Sequence, residues 1–265
     1  MNTIWKGSVN FGLINIPVKL SAATDKKDVS FRLLHKQCKQ PLNQKRWCPK
    51  CNKEVAFEDT VKGYEYEKGR FTIIEDEDFA KLPVKSTRYI QIVDFIQISE
   101  VDPIYYEKTY YLQPEANSEK AYLLLRDAMK ETGKAAVAKI TLRQKEHICI
   151  VRCIGKVLCM ETMFFIDEIR GAEEIGIDKL EKKMEVSKQE RDIAVQLIEN
   201  LTAKFEPEKY HDEYREELMK MIQTKIDGAE IVESAPIDDT LPNVIDLMER
   251  LKRSVEATQV KKIAN

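Results

Sequence analysis

The feature that most constrains this chain is a change in the spacing of its apolar residues near Gly171. Before it, apolar positions alternate with period two, as on a half-buried strand; after it they recur every three to four residues, as on an amphipathic helix. The opening shows the first pattern. Val9, Phe11 and Leu13 alternate with Ser8, Asn10 and Gly12, then the phase flips to Ile14, Ile16, Val18 and Leu20. A slip beside Gly12 predicts two strands joined by a bulge or sharp bend, with Pro17 favouring an edge strand or the end of a ladder. Further short stretches rich in Ile, Val, Tyr and Phe lie at 71–74, 89–98, 105–112, 136–142, 147–154 and 157–165. That density of strands predicts a barrel or sandwich over residues 1–170. One helix interrupts it: Asn117 or Ser118 can cap, Ala121, Leu124, Leu125, Ala128 and Met129 share a face, and Gly133 ends it. The acids Glu75 to Asp78 read as a solvated turn that starts a short helix.

The later pattern predicts a helical region over 171–233. Ile193, Leu197, Leu201 and Phe205 form one stripe, and Tyr210, Tyr214, Leu218, Met221 and Ile222 a second. Residues 234–243, with Pro236 and Pro242 among acids, read as a linker, followed over 244–265 by a short amphipathic helix carrying Val244, Leu247, Met248, Leu251 and Val255. A helix of that length is marginal alone, so it docks either on the protein's own core or on a partner. The expected class is mainly β with α.

Charge is segregated. Between Arg32 and Lys53 stand seven cations (Arg32, Lys36, Lys39, Lys45, Arg46, Lys50, Lys53) and no acid, whereas the whole chain carries −2, which leaves −9 elsewhere. Uncompensated cations in a row repel one another unless a polyanion approaches, and duplex DNA presents one phosphate charge per roughly 1.7 Å of axis. The absence of a helix-turn-helix, a basic zipper and a complete zinc finger points to phosphate contact over base readout. A second basic run over 132–160 (Lys134, Lys139, Arg143, Lys145, Arg152, Lys156) reads as the solvated outer face of strands.

The same cationic segment carries His35-x2-Cys38-x9-Cys48-x2-Cys51. Cys48-Pro49-Lys50-Cys51 has the form of a zinc knuckle, and His35 with Cys38 could complete a closed, structural Cys3His site. The rival is a redox dithiol. Such dithiols sit at helix N-termini, and the residues after Cys51 show no helical stripe. Cys149, Cys153 and Cys159 lie in apolar strands and read as core residues.

The remaining observations are exclusions. No phosphate-binding glycine loop, dinucleotide fingerprint or H-E-x-x-H is present, and the three histidines (His35, His147, His211) fall in different elements, so no enzyme is expected. The start lacks a signal-peptide apolar region, and no apolar run reaches membrane-spanning length, which predicts a cytoplasmic protein without membrane contact, nucleoid-associated if its polyanionic partner is DNA.

Several separated motifs, in order, carry a resemblance. They are residues 4–20 (Ile4-Trp5-Lys6-Gly7 to Val18-Lys19-Leu20), Leu34-His35-Lys36, Val61-Lys62-Gly63-Tyr64-Glu65-Tyr66, Val101-Asp102-Pro103-Ile104-Tyr105-Tyr106, and Leu201 to Tyr210. The chain resembles the bacterial Ku proteins, which bind broken DNA ends in non-homologous end joining. The resemblance implies a Ku-type barrel with an inserted DNA-encircling bridge over about 29–62, and a homodimer that closes a ring around double-stranded DNA ends. It also implies recruitment of an ATP-dependent DNA ligase, ligase D, through the carboxy-terminal region, where Val244, Leu247, Met248 and Leu251 are the candidate contacts. A bridge without its own core gives zinc at His35, Cys38, Cys48 and Cys51 a structural role. Many relatives carry a Lys-rich tail after the core, which Val260 to Asn265 do not match, so the resemblance does not extend to what such tails contribute.

Overall fold

A computed structural model describes residues 1–81, 88–143, 145–181, 184, 186–228, 251–252 and 254–255. In chain order, β1 (Thr3–Phe11) and β2 (Ile14–Ala22) form a hairpin, and two short strands follow, β3 (Trp47–Cys48) and β4 (Lys53–Glu54). Next come the hairpin β5 (Lys62–Glu67) and β6 (Arg70–Ile74), then α1 (Asp76–Ala80), β7 (Tyr89–Gln97) and β8 (Tyr106–Pro114). Helix α2 (Glu119–Thr132) precedes β9 (Lys134–Leu142), β10 (Lys145–Ile154) and β11 (Val157–Met163). The rest is helical, with α3 (Ile177–Glu181), α4 (Lys188–Leu201) and α5 (Glu213–Ile226). The chain divides into two compact units, Met1–Arg170 and Gly171–Asn265.

Seven strands close a barrel in the order β1-β2-β8-β11-β10-β9-β7. Neighbours are antiparallel except β1 and β7, which close the sheet in parallel through Ser8↔Tyr89, Val9↔Ile90 and Asn10↔Gln91. The alternation seen in the sequence becomes inside and outside. Val9, Ile16, Val18, Leu20, Ile90, Leu112, Ala138, Ile140, Cys149, Val151, Leu158 and Met160 fill the lumen, each 2% exposed or less. Burial pushes the Cys149 thiol up to about 12 and Cys159 to about 11, so both stay protonated at neutral pH.

Helix α2 plugs one end of the barrel. Its Tyr122, Leu125 and Met129 enter the lumen core, and the Tyr122 hydroxyl donates to the Leu112 carbonyl (2.9 Å) while accepting from the Leu158 amide (2.7 Å). Ser118 Oγ donates to the Pro17 carbonyl at 2.8 Å, and Gly133 ends the helix at φ 65°. On the outer wall Arg152 forms a two-pronged ion pair with Glu161 (2.7 and 2.6 Å). The Glu161 side chain is 8% exposed, and the bonded carboxylate holds the guanidinium protonated.

Two expectations are corrected, and Pro17 takes the second of its two expected places, the end of a ladder. It pairs with Ser8 inside the closed barrel. It is tolerated because β8 pairs only with Val18 to Ala22, so the missing N–H lies beyond the end of that ladder. The strand at 71–74 belongs to the separate β5–β6 hairpin and not to the barrel. The stripes of the helical unit are left without a core: no residue of α4 or α5 is buried, and Phe205 and Tyr210 lie outside both helices, stacked on each other at 5.7 Å. Local capping still fits the sequence, since Ser187 and Glu190 form a reciprocal box at the start of α4.

Candidate nucleic-acid interface

None of the described residues between Ala22 and Lys81 is buried. This insertion between barrel strands β2 and β7 is built from small hairpins. The first joins Leu33 to Leu42: the Leu42 amide donates to the Leu33 carbonyl (3.0 Å), the His35 amide to Gln40 (2.8 Å) and the Lys39 amide to His35 (2.8 Å). The second is β3–β4, with Trp47↔Glu54 and Cys48↔Lys53 paired and the Val55 amide donating to the Arg46 carbonyl (2.9 Å). The third is β5–β6, with a bulge between Glu65 and Glu67.

The first two hairpins have tips of the same design. His35 Nδ1 lies 3.0 Å from Cys38 Sγ at one tip. At the other, the Cys51 backbone N–H and thiol lower the Cys48 pKa, while the Cys51 thiol is itself raised by its contact with Cys48. In each tip the residue after the second donor adopts a left-handed backbone, Lys39 at φ 59° and Asn52 at φ 50°. The donor chemistry suits zinc. The convergence is absent: among the described residues no three His, Cys, Asp or Glu side chains come together as a metal-holding group, so each tip stands as a separate pair.

All seven predicted cations are exposed. Their electrostatic states differ. Lys45 Nζ is paired with Glu54 at 2.6 Å, both side chains being exposed, and the Arg46 guanidinium lies 5.0 Å from the centre of the Phe57 ring. Arg32, Lys36, Lys39, Lys50 and Lys53 have no carboxylate within ion-pair distance among the described residues. A flexible stem with an unpaired ammonium at its end is the group that exchanges counterions for phosphate most readily.

Sequence reasoning missed one face of the third hairpin. Lys62, Tyr64 and Tyr66 on β5 share it with Arg70 and Thr72 on β6, and Tyr64 and Tyr66 are 65% and 53% exposed. Lys62 pairs with Asp76 (2.8 Å) and Arg70 with Glu67 (2.9 Å), so this face is aromatic and near neutral. The signal was the alternation Lys62-x-Tyr64-x-Tyr66 itself, which reads as buried aromatics until the hairpin is found to stand outside the barrel. The second basic run is also corrected in part. Lys139 pairs with Glu146 (3.6 Å) on the outside, but Arg143 and Lys145 line the open end of the barrel and Arg152 is half-buried against Glu161.

Of the carboxy-terminal candidates, Val244, Leu247 and Met248 lie outside the described residues, as does the linker at 234–243. Leu251 is helical and half-buried. No described helix is long and apolar enough to cross a membrane.

Comparison with known proteins agrees with this architecture. The family model for the Ku70/Ku80 beta-barrel domain matches residues 10–193. A protein of Heliobacterium modesticaldum named "Non-homologous end joining protein Ku" is 47% identical over 100% of this chain and 95% of its own length. Proteins of the same name from Desulfitobacterium hafniense and Bacillus subtilis are 45% and 40% identical over 100% and 98% of this chain, and 91% and 83% of their own lengths. With a closed barrel of the matching kind and identity that runs the length of the chain, the protein belongs to the Ku family.

Proposed function

We propose that this protein binds double-stranded DNA ends in non-homologous end joining, as a homodimeric ring without base specificity. The observation that carries the reading is an exposed, coreless insertion bearing seven surface cations, attached to a rigid barrel. Its role is binding and not catalysis. A closed ring selects ends by topology: a free end threads it, and an uninterrupted circle cannot. Phosphate contacts supply affinity and, being independent of sequence, permit sliding inward. Linear duplex is therefore expected to compete for the protein while covalently closed circles do not, read by gel shift of a labelled blunt duplex. Equal competition, or a monomer at micromolar concentration by sedimentation, would overturn the ring.

Zinc belongs to the same proposal. His35 and Cys38 at one tip and Cys48 and Cys51 at the other would each supply two ligands, stapling an arm that has no hydrophobic core of its own. Protein prepared without chelator is expected to hold about one equivalent of zinc per chain. Chelation should expose Cys38, Cys48 and Cys51 to alkylation, with Cys149 and Cys159 unreactive throughout. Less than about half an equivalent counts against the four-ligand site.

The carboxy-terminal segment 244–265, with Val244, Leu247, Met248 and Leu251, is proposed to dock on ligase D. Deleting 244–265 should abolish stimulation of the ligase in an end-joining assay and leave duplex binding intact. Undiminished stimulation by the shortened chain would remove the segment from that role.

A further inference from the structure

We propose that the open end of the barrel is a binding site for a nucleoside phosphate, the base laid against Trp5 and Tyr110 and the phosphate held by Lys26 and Arg143. The site lies opposite the end plugged by α2, where β1 begins and β2, β9 and β11 finish. Its cavity measures about 760 Å³, within the range of about 300–1,000 Å³ usual for small-ligand sites. The inference stands apart from the ring reading, because the site is formed by the barrel and the loop after β2.

The floor is built. Trp5, Tyr110, Leu142, His147 and Thr162 continue the inward-facing rows of the lumen, so their side chains sit above the packed core and look out through the mouth. Trp5 is turned across the lumen over Gly7, its ring 2.2 Å from where a Gly7 Cβ would stand. An indole and a phenol on the floor of a half-open cavity offer the stacking surface that any nucleobase uses. Beside them Glu107 accepts from Thr162 Oγ (3.2 Å) and lies 3.8 Å from His147 Nδ1, placing a carboxylate acceptor and a ring nitrogen where base edges present their polar atoms.

The rim is cationic and only partly neutralised. Lys108 is near Glu107 at 3.5 Å and Lys145 is held by Glu168 at 2.8 Å, whereas Lys26 and Arg143 have no ion-pair partner among the described residues. Arg143 supplies an independent pointer. It stands in the tight turn between Leu142 and Lys145 with φ 49°, a left-handed backbone that Asn or Gly adopts with less strain. The strained position carries the one side chain at that corner able to grip a phosphate with a planar fork.

Two sources share this chemistry, a free nucleotide and the terminal nucleotide of an unpaired strand. The chain has two tryptophans, Trp5 and Trp47, so the Trp47→Phe variant makes Trp5 the sole indole reporter. Deoxyadenosine monophosphate is expected to quench its fluorescence saturably, with half-saturation below about 1 mM. Adding Lys26→Gln and Arg143→Asn should raise that concentration at least about tenfold, with blunt-duplex binding unchanged. Asn suits the left-handed turn, and Lys26→Gln alone, in a loop, should show part of the same shift. A short 5′-phosphorylated single strand that binds more tightly than the mononucleotide identifies a strand end as the source; weaker binding identifies the free nucleotide. Absence of saturable quenching, equal quenching by inorganic phosphate, or equal displacement by polyglutamate overturns the assignment, the last in favour of an acidic peptide. Loss of duplex binding with quenching retained sinks the ring reading alone.

Discussion

Reversing Lys36, Arg46 and Lys50 together to Glu is expected to weaken binding of a blunt linear duplex by at least about a hundredfold, equally for unrelated sequences. Three phosphate contacts at about 1 kcal/mol each amount to about 3 kcal/mol, and each 1.4 kcal/mol is about tenfold in affinity. The slope of log affinity against log salt should fall in magnitude by about 2.7, at roughly 0.9 per contact. These three are chosen because the structure leaves Lys36 and Lys50 without carboxylate partners and places Arg46 over Phe57. Lys45→Glu alone should weaken binding less than Arg46→Glu, since Lys45 already has a carboxylate partner in Glu54 at 2.6 Å. Quantitative gel shifts over a salt series measure all of this. A loss restricted to particular sequences, or an unchanged salt slope, would mean that the arm is not the phosphate-binding surface.

Gly7→Ala is expected to lower the stability of the barrel by about 3 kcal/mol or more, through overpacking at the seam. A Cβ at Gly7 would stand 2.2 Å from the Arg88 carbonyl oxygen and 2.2 Å from the Trp5 ring. The carbonyl is backbone and cannot rotate away. It accepts the Ser8 amide at 3.0 Å beside the parallel β1–β7 closure, so the added methyl pushes on the seam that makes the sheet a barrel. Trp5→Ala should not rescue the variant, because only one of the two obstacles is removed. Gly12→Ala is the control: it occupies open space at φ 58° in the β1–β2 turn and should cost about 1–2 kcal/mol in backbone strain alone. Thermal melts distinguish the two. A Gly7→Ala melting temperature equal to that of Gly12→Ala would contradict the steric account.

Local chemistry was readable in the chain to different depths. The strands at 89–98, 136–142 and 147–154 and the helix ending at Gly133 follow from period and capping, because a residue's inward or outward direction is set by its nearest neighbours. The cationic arm was legible too, since segregated charge needs no fold to be noticed. The aromatic face of Tyr64 and Tyr66 was not, because period two reports that a strand has two faces and does not say what lies against either.

The sequence by itself determined the change from period two to period 3.6 near Gly171 and the gathering of cations between Arg32 and Lys53. It also carried both pairs of metal-type donors. Tertiary structure alone decided that β1 meets β7 in parallel, that α2 plugs one end of the lumen, and that Trp5 floors the other. It decided as well that His35 with Cys38 and Cys48 with Cys51 occupy tips of separate hairpins. The physical reason is distance along the chain: periodicity records which side of a strand is buried, whereas pairing joins Val9 to Ile90 and Tyr122 to Leu158, and no local pattern encodes a partner that far away.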